Sequence, residues 1–211
     1  LFLSLSLKPR ARQAYTLFLE KKLKNPQVNL KLATLEFELG NHQRVVDLLK
    51  VVPESLLVDE HISMMLAESN FALKSYSPVI GLTARIIATN PQQIRAVELA
   101  ALSLEKSGDL TKAARMFETF LSFSKTDKHR EYSFHLGELF EKLGSRDLAV
   151  ARYAHNISAY PSDVRNYERL ATIYIEAKDW RSASGVLEKA LALPGVQPSL
   201  RKELAQSYAQ Q

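Results

Sequence analysis

FHLGELFEKLGSRDLAVARY (residues 134–153) sets an apolar rhythm on either side of a charged turn. Leu136, Gly137 and Phe140 share one helical face, and Ala149 and Tyr153 share another after the turn. A phosphate loop would string its glycines ahead of a helix N-terminus, with Lys and Ser or Thr following. "LGELFEK" lacks that order, so Gly137 reads as a packing glycine where a second helix comes close.

The same arrangement recurs along the chain. From Val164, the stripe Tyr167, Leu170, Ala171, Tyr174 is followed by Ala183, Leu187, Ala190, Leu191, and Pro194 stops it. Earlier units open at Ile94 (Ala100, Ala101, Leu104, then Ala113, Phe117, Phe120), at Glu60 (Leu66, Ala67, then Val79, Thr83, Ile86) and at Pro26 (Leu32, Ala33, then Val45, Leu49, Val52). The small residues Ala33, Ala67, Ala101, Gly137, Ala171 and Ala205 form a column at intervals of 34 or 36 residues. Such periodicity marks stacked helix pairs, because no single pair can bury its own apolar face.

The pattern resembles the tetratricopeptide repeat, a helix–turn–helix unit of about 34 residues. The resemblance covers nearly the whole chain: full units from 26, 60, 94, 130 and 164, a leading half-unit over 8–25 (Ala14, Phe18, then Pro26) and a trailing half-unit over 198–211 (Leu204, Ala205, Tyr208). The large aromatic of the family's fourth place stands only at Tyr167. In the unit from 60, Lys74 replaces the turn glycine, and Ser77 with Pro78 is expected to open the second helix. The resemblance implies an all-α, right-handed superhelical solenoid of antiparallel helix pairs, one domain over 1–211, with an inner groove lined by the first helices. Without an opening Met, the chain reads as a piece excised from a longer protein. "LFLSLSL" (1–7) reads equally as a signal-segment tail, a cloning remnant or a packed helix end.

Composition bounds the chemistry. Hydrophobic residues make up 46% of the 211, enough for a core, and no apolar run approaches the about 20 residues that span a bilayer. There is no cysteine, so disulfides, thiolate nucleophiles and cysteine-based metal sites are excluded, while cytoplasm and bacterial periplasm both remain compatible. The net charge of +5 sits entirely in residues 1–25, which hold six basic residues against one acidic. A neutral body behind a basic first helix is a poor footprint for tracking phosphates, so nucleic acid is not the expected partner. His42, His61, His129, His135 and His155 show neither metal-ligand spacing nor a nucleophile constellation, and no enzyme activity or cofactor is expected. The sequon Asn156-Ile157-Ser158 falls inside an expected helix and reads as structural.

In the family, the second, fifth, sixth, ninth, twelfth and thirteenth places of first helices tend to face the groove. Carried over, these give Leu30, Lys31, Thr34, Phe37; His61, Met64, Met65, Glu68, Phe71; Arg95, Glu98, Leu99, Leu102; Glu131, Phe134, His135, Glu138; and Arg165, Glu168, Arg169, Thr172. Asn is absent from them, so the clamp that grips a chaperone's C-terminal carboxylate is not expected. Leu30, Phe37, Met64, Met65, Phe71, Leu99, Leu102 and Phe134 would form an adaptable apolar lining for a partner peptide or helix, with Arg95, His135, Arg165, Arg169 and the acids as a polar rim. The competing reading packs each of them against the next first helix. The expected function is a non-catalytic interaction scaffold. The alternatives are an assembly module that stacks through the array ends on another copy or on the rest of a larger complex, such as a bacterial envelope or secretion assembly, and an RNA-binding repeat, for which the mixed-charge lining is poorly suited. Two basic spots stand apart: Lys8, Arg10, Arg12 with "KKLK" (21–24), and Lys125, Lys128, His129, Arg130, where the unit is two residues longer. They read as solvated faces or as contacts for an acidic partner or an anionic membrane surface.

Overall fold

The computed structural model describes residues 2–20, 25–194 and 199–210, side chains of residues 2–7, 19, 20 and 199 excepted. Among these residues the protein is all-α. Its thirteen helices are α1 (Phe2–Glu20), α2 (Pro26–Glu38), α3 (His42–Leu49), α4 (Glu54–Leu57), α5 (Glu60–Ala72), α6 (Tyr76–Thr89), α7 (Ile94–Lys106), α8 (Leu110–Phe123), α9 (Lys128–Lys142), α10 (Arg146–Ala159), α11 (Val164–Glu176), α12 (Trp180–Leu191) and α13 (Ser199–Ala209). They form two compact units, Leu1–Met116 and Phe117–Gln211, divided within α8.

One backbone device fixes the repeat register. After α2, Gly40 N–H donates to the Phe37 carbonyl (2.9 Å) and Asn41 N–H to that of Glu36 (2.8 Å). The same two bonds close α5 at Lys74 and Ser75, α7 at Gly108 and Asp109, α9 at Gly144 and Ser145, and α11 at Lys178 and Asp179. This helix ending needs a left-handed residue at its first position. Glycine supplies it at 40, 108 and 144; Lys74 and Lys178 adopt it with φ of 58° and 59°.

In the first unit α2 packs on α3, α5 on α6 and α6 on α7, while α2 touches α5 and α5 touches α7. Leu32, Ala33, Val45, Leu48, Leu49, Val52 and Met65 form one buried cluster, and Ala67, Val79 and Leu99 another. In the second unit α9 to α13 pack each on the next, with Ala171, Leu187 and Leu200 as a buried cluster. The small-residue column is buried from Ala33 through Ala171, and Gly137 lies against the Tyr153 ring. Ala205, at the same place in α13, is exposed.

Two local expectations change. Pro26 opens α2 at its first turn behind the N-cap Asn25, whose side chain accepts from the Gln27 N–H (2.9 Å). The second-helix places of the leading half-unit therefore fall on Ala11 and Tyr15 rather than Ala14 and Phe18; Tyr15 packs on the first cluster and Ala14 is exposed. Helix α6 begins at Tyr76 with Ser75 as N-cap, not Ser77, because the left-handed Lys74 ends the turn at once. Pro78 still fits, since first-turn amides have no helical acceptor. Short α4 was not foreseen; Leu56 and Leu57 pack on the first cluster. Residues 2–7 of "LFLSLSL" are helical, as part of α1. Lys21, Lys22, Lys24 and Pro198 lie outside the described residues.

Candidate interaction faces

In the first unit the candidate residues sort into floor and core. Leu30 and Phe37 are half-buried against the first cluster, and Met64 and Phe71 against the second. Leu102 on α7 is also half-buried. Met65 and Leu99 are not groove residues: they are 2% and 0% exposed and belong to the two clusters. The sixth place of these helices turns inward here because α2 and α7 each lie against α5.

Arg95 ties α7 to α5 within this face. Its Nε donates to Glu68 Oε1 (2.8 Å) and its Nη1 to Glu98 Oε2 (2.7 Å). Burial opposes the charge, but the bonds Arg95 donates to Glu68 and Glu98 outweigh this and raise the guanidinium pKa. Glu98, expected on the rim, is 4% exposed and braces Arg95 from within. At the N-terminal side, Arg12 of α1 meets the buried Glu36 of α2 (2.7 Å), whose other oxygen accepts from Asn41 (2.6 Å). Burial alone would raise the Glu36 pKa; the bonds from Arg12 and Asn41 prevail and lower it.

In the second unit Phe134 is not an open anchor. Tyr153 approaches its ring at 5.8 Å between centroids, and the Arg165 guanidinium carbon lies 4.5 Å from its centroid. Arg165 is itself held twice. Its Nη1 and Nη2 donate to Glu131 (2.9 and 2.8 Å), and its Nε and Nη2 to Asp163 (2.9 and 2.7 Å). These bonds, with Asp163 leading, raise the Arg165 pKa, and they lower those of Glu131 and Asp163. Arg169 forks onto Glu141 (3.0 and 2.5 Å), and Tyr153 donates to the same carboxylate (2.5 Å). Burial, then the bond to Glu141, pushes the Tyr153 phenol far above its usual range. His135 Nδ1 lies 3.3 Å from Glu138 Oε2, and its ring meets Phe117 edge-on. The arginines of the expected rim thus clamp successive first helices together.

Other sequence signals settle into structure. Asn156 of the sequon is fully buried: it accepts from Ser133 (2.5 Å) and donates to Asn166 (2.9 Å). His129 has both ring nitrogens engaged, with the Tyr160 hydroxyl (2.6 Å) and the Leu121 carbonyl (3.2 Å). Among the described residues no three His, Asp or Glu side chains gather as metal ligands would, and no helix is long and apolar enough to cross a membrane.

Sequence reasoning missed Asp163, Glu141 and the Arg12–Glu36 pair. The available signal was spacing, since Arg165 follows Glu131 by 34 residues and Arg169 follows Glu141 by 28.

No protein-family model matches the chain, and no curated protein matches it in sequence. Solved structures do match in fold. The crystal structure of YrrB, described as a TPR protein with an unusual peptide-binding site, is 13% identical over 92% of this chain and 99% of that one, with a TM-score of 0.63. The crystal structure of MamA protein is 13% identical over 86% and 94%, at 0.62. A chain of Naa15/Naa10 bound to HypK-THB is 16% identical at 0.71; the match covers 97% of this chain but 32% of that one. At these identities the likeness shows the fold: a helical repeat like that of tetratricopeptide-repeat proteins.

Proposed function

We propose that the protein is a non-catalytic interaction scaffold that takes up a partner peptide or helix on the face built by α2, α5 and α7. The observation that carries this reading is the floor of half-buried Met64, Phe71 and Leu102 beside the Arg95–Glu68 pair. Packing against the second cluster holds Met64 and Phe71 in place while part of each meets solvent, which lowers the ordering cost of binding. Methionine adapts its shape to a ligand, and the ion pair gives the approaching backbone an orientation. The peptide-binding site reported for YrrB supports the reading by fold alone. Selection of binders from a random peptide library tests it. Enriched peptides should bind the native chain and lose at least about 10-fold in affinity for a folded Met64→Glu, Leu102→Glu variant. Equal binding to both would overturn the assignment of this face.

A second reading, an assembly module, is favoured by the array ends. Ala205 and Tyr208 on α13 are exposed, and so is Leu17 on α1. Ala171 and its earlier equivalents are covered by a second helix. The Naa15/Naa10 assembly supports this reading in the same limited way. A molecular mass that rises with concentration, and returns to the monomer value in an Ala205→Arg variant, is its expected signature.

A further inference from the structure

The connection between α8 and α9, in the unit two residues longer than its neighbours, carries the second basic spot. The loop 124–127 and the start of α9 line an open hollow of about 420 Å³, with Lys125, Thr126, Asp127, His129, Arg130 and Tyr160 around it. Its walls are fixed. The hydroxyl of Ser124, which is 2% exposed, lies 2.9 Å from that of Thr126 and accepts from the Thr126 N–H (3.3 Å). The His129 N–H of the backbone donates to the Thr126 carbonyl (2.9 Å), and the imidazole is pinned at both nitrogens. His129 and Tyr160 are therefore wall, and the ligating capacity rests with Lys125 and Arg130.

Those two cations are available. Lys125 is exposed, and Arg130 reaches Glu131 and Asp163 only at 3.7 Å. Both acids are held closer by Arg165. Asp127 subtracts one charge at the rim. Beside the loop, Phe123 at the end of α8 is 42% exposed, an aromatic anchor next to a cationic hollow. The α6–α7 connection at the corresponding place is different: Glu60 accepts from Asn90 (3.3 Å) and Gln93 (2.6 Å).

We propose that this loop is a second docking site, distinct from the apolar face, which takes an oxyanion carried on an acidic segment of a protein partner. Lys125 and Arg130 bind the carboxylate or phosphomonoester, and Phe123 packs against the apolar residue beside it. The pinned His129 and Tyr160 need no rearrangement, so binding has to order only the Lys125 and Arg130 side chains.

Fluorescence anisotropy on the full chain tests this with three labelled Gly/Ser-rich peptides carrying a Leu-Glu-Glu core, a Leu-phosphoserine core or a neutral Leu-Gln-Gln core. The acidic peptides should bind more tightly than the neutral one, and less so as salt rises from ~50 to ~300 mM. Lys125→Glu or Arg130→Gln should weaken them about 10-fold, whereas Asp127→Asn should tighten them about 3-fold. Arg201→Glu changes net charge as much as Lys125→Glu but lies on α13, and it should leave affinity unchanged. Preference for phosphoserine over Glu-Glu identifies a phosphomonoester; equal affinity identifies a carboxylate. Two results would overturn the site: no preference for acidic over neutral peptide, or an equal loss in the Arg201→Glu and Lys125→Glu chains.

Discussion

A methyl group on Gly137 would sit 2.5 Å from Cε1 of Tyr153 and 2.7 Å from Cζ. The ring has little freedom to withdraw, because Tyr153 is fully buried and its hydroxyl is bound to Glu141. Two effects oppose each other in Gly137→Ala. Helix propensity favours alanine by about 1 kcal/mol, while overpacking a filled core costs about 1–3 kcal/mol. The close contact decides the sign, and Gly137→Ala should lower stability in urea denaturation. Leucine holds the equivalent place at Leu187, so Gly137→Ala with Tyr153→Leu should recover much of the loss.

Lys74 and Lys178 occupy the left-handed turn position that glycine fills in the three other units. That conformation costs a side-chain-bearing residue about 1–2 kcal/mol, against about 0.5–1 kcal/mol of extra unfolded-state freedom for glycine. Lys74→Gly and Lys178→Gly should each stabilise the protein by about 0.5–1 kcal/mol. A lower melting temperature in either variant would contradict this account of the turn.

Arg165 joins α9 to α11 through Glu131, the Phe134 ring and Asp163. Removing its side chain leaves the 8%-exposed Asp163 with the backbone N–H of residue 165 and the distant Arg130, a loss of about 1–3 kcal/mol. Arg165→Lys should recover less than half of this, since an ammonium cannot fork onto two carboxylates. Equilibrium unfolding of both variants measures the difference.

Acid should destabilise the protein through the same groups. Glu36, Glu131 and Asp163 have pKa values held below the ordinary carboxylate range in the folded state. As pH falls the unfolded chain takes up their protons first, so their stabilisation is complete above about pH 5 and fades as pH drops through the depressed values. Asp163→Asn should flatten the melting temperature against pH between about 5 and 2. An unchanged slope would show that Asp163 is not ionised in its clamp.

Much of the fold was legible because repetition multiplies a weak signal. Any one stripe such as Leu136, Gly137, Phe140 fits many helices, but the same small residue returning beside the same turn specifies stacked pairs. The site was less legible. Met64 and Met65 are adjacent and chemically identical, yet one is half-exposed and the other is core, a difference set by how closely α2 lies against α5. Phe134 reads as an exposed anchor until Arg165, a unit later, is seen above its ring. Side-chain pairing between units depends on rotamers and helix spacing, and periodicity carries neither.

On the reading proposed above, the α2–α5–α7 face takes a partner peptide. Amide hydrogen exchange on the full chain, with and without a selected peptide, tests it most directly. We expect slowed exchange in the segments of α5 and α7 that carry Met64, Phe71, Arg95 and Leu102, and no slowing in the folded Met64→Glu, Leu102→Glu variant. Slowed exchange confined to α1, α13 or the loop before α9, with α5 and α7 unchanged, would contradict it.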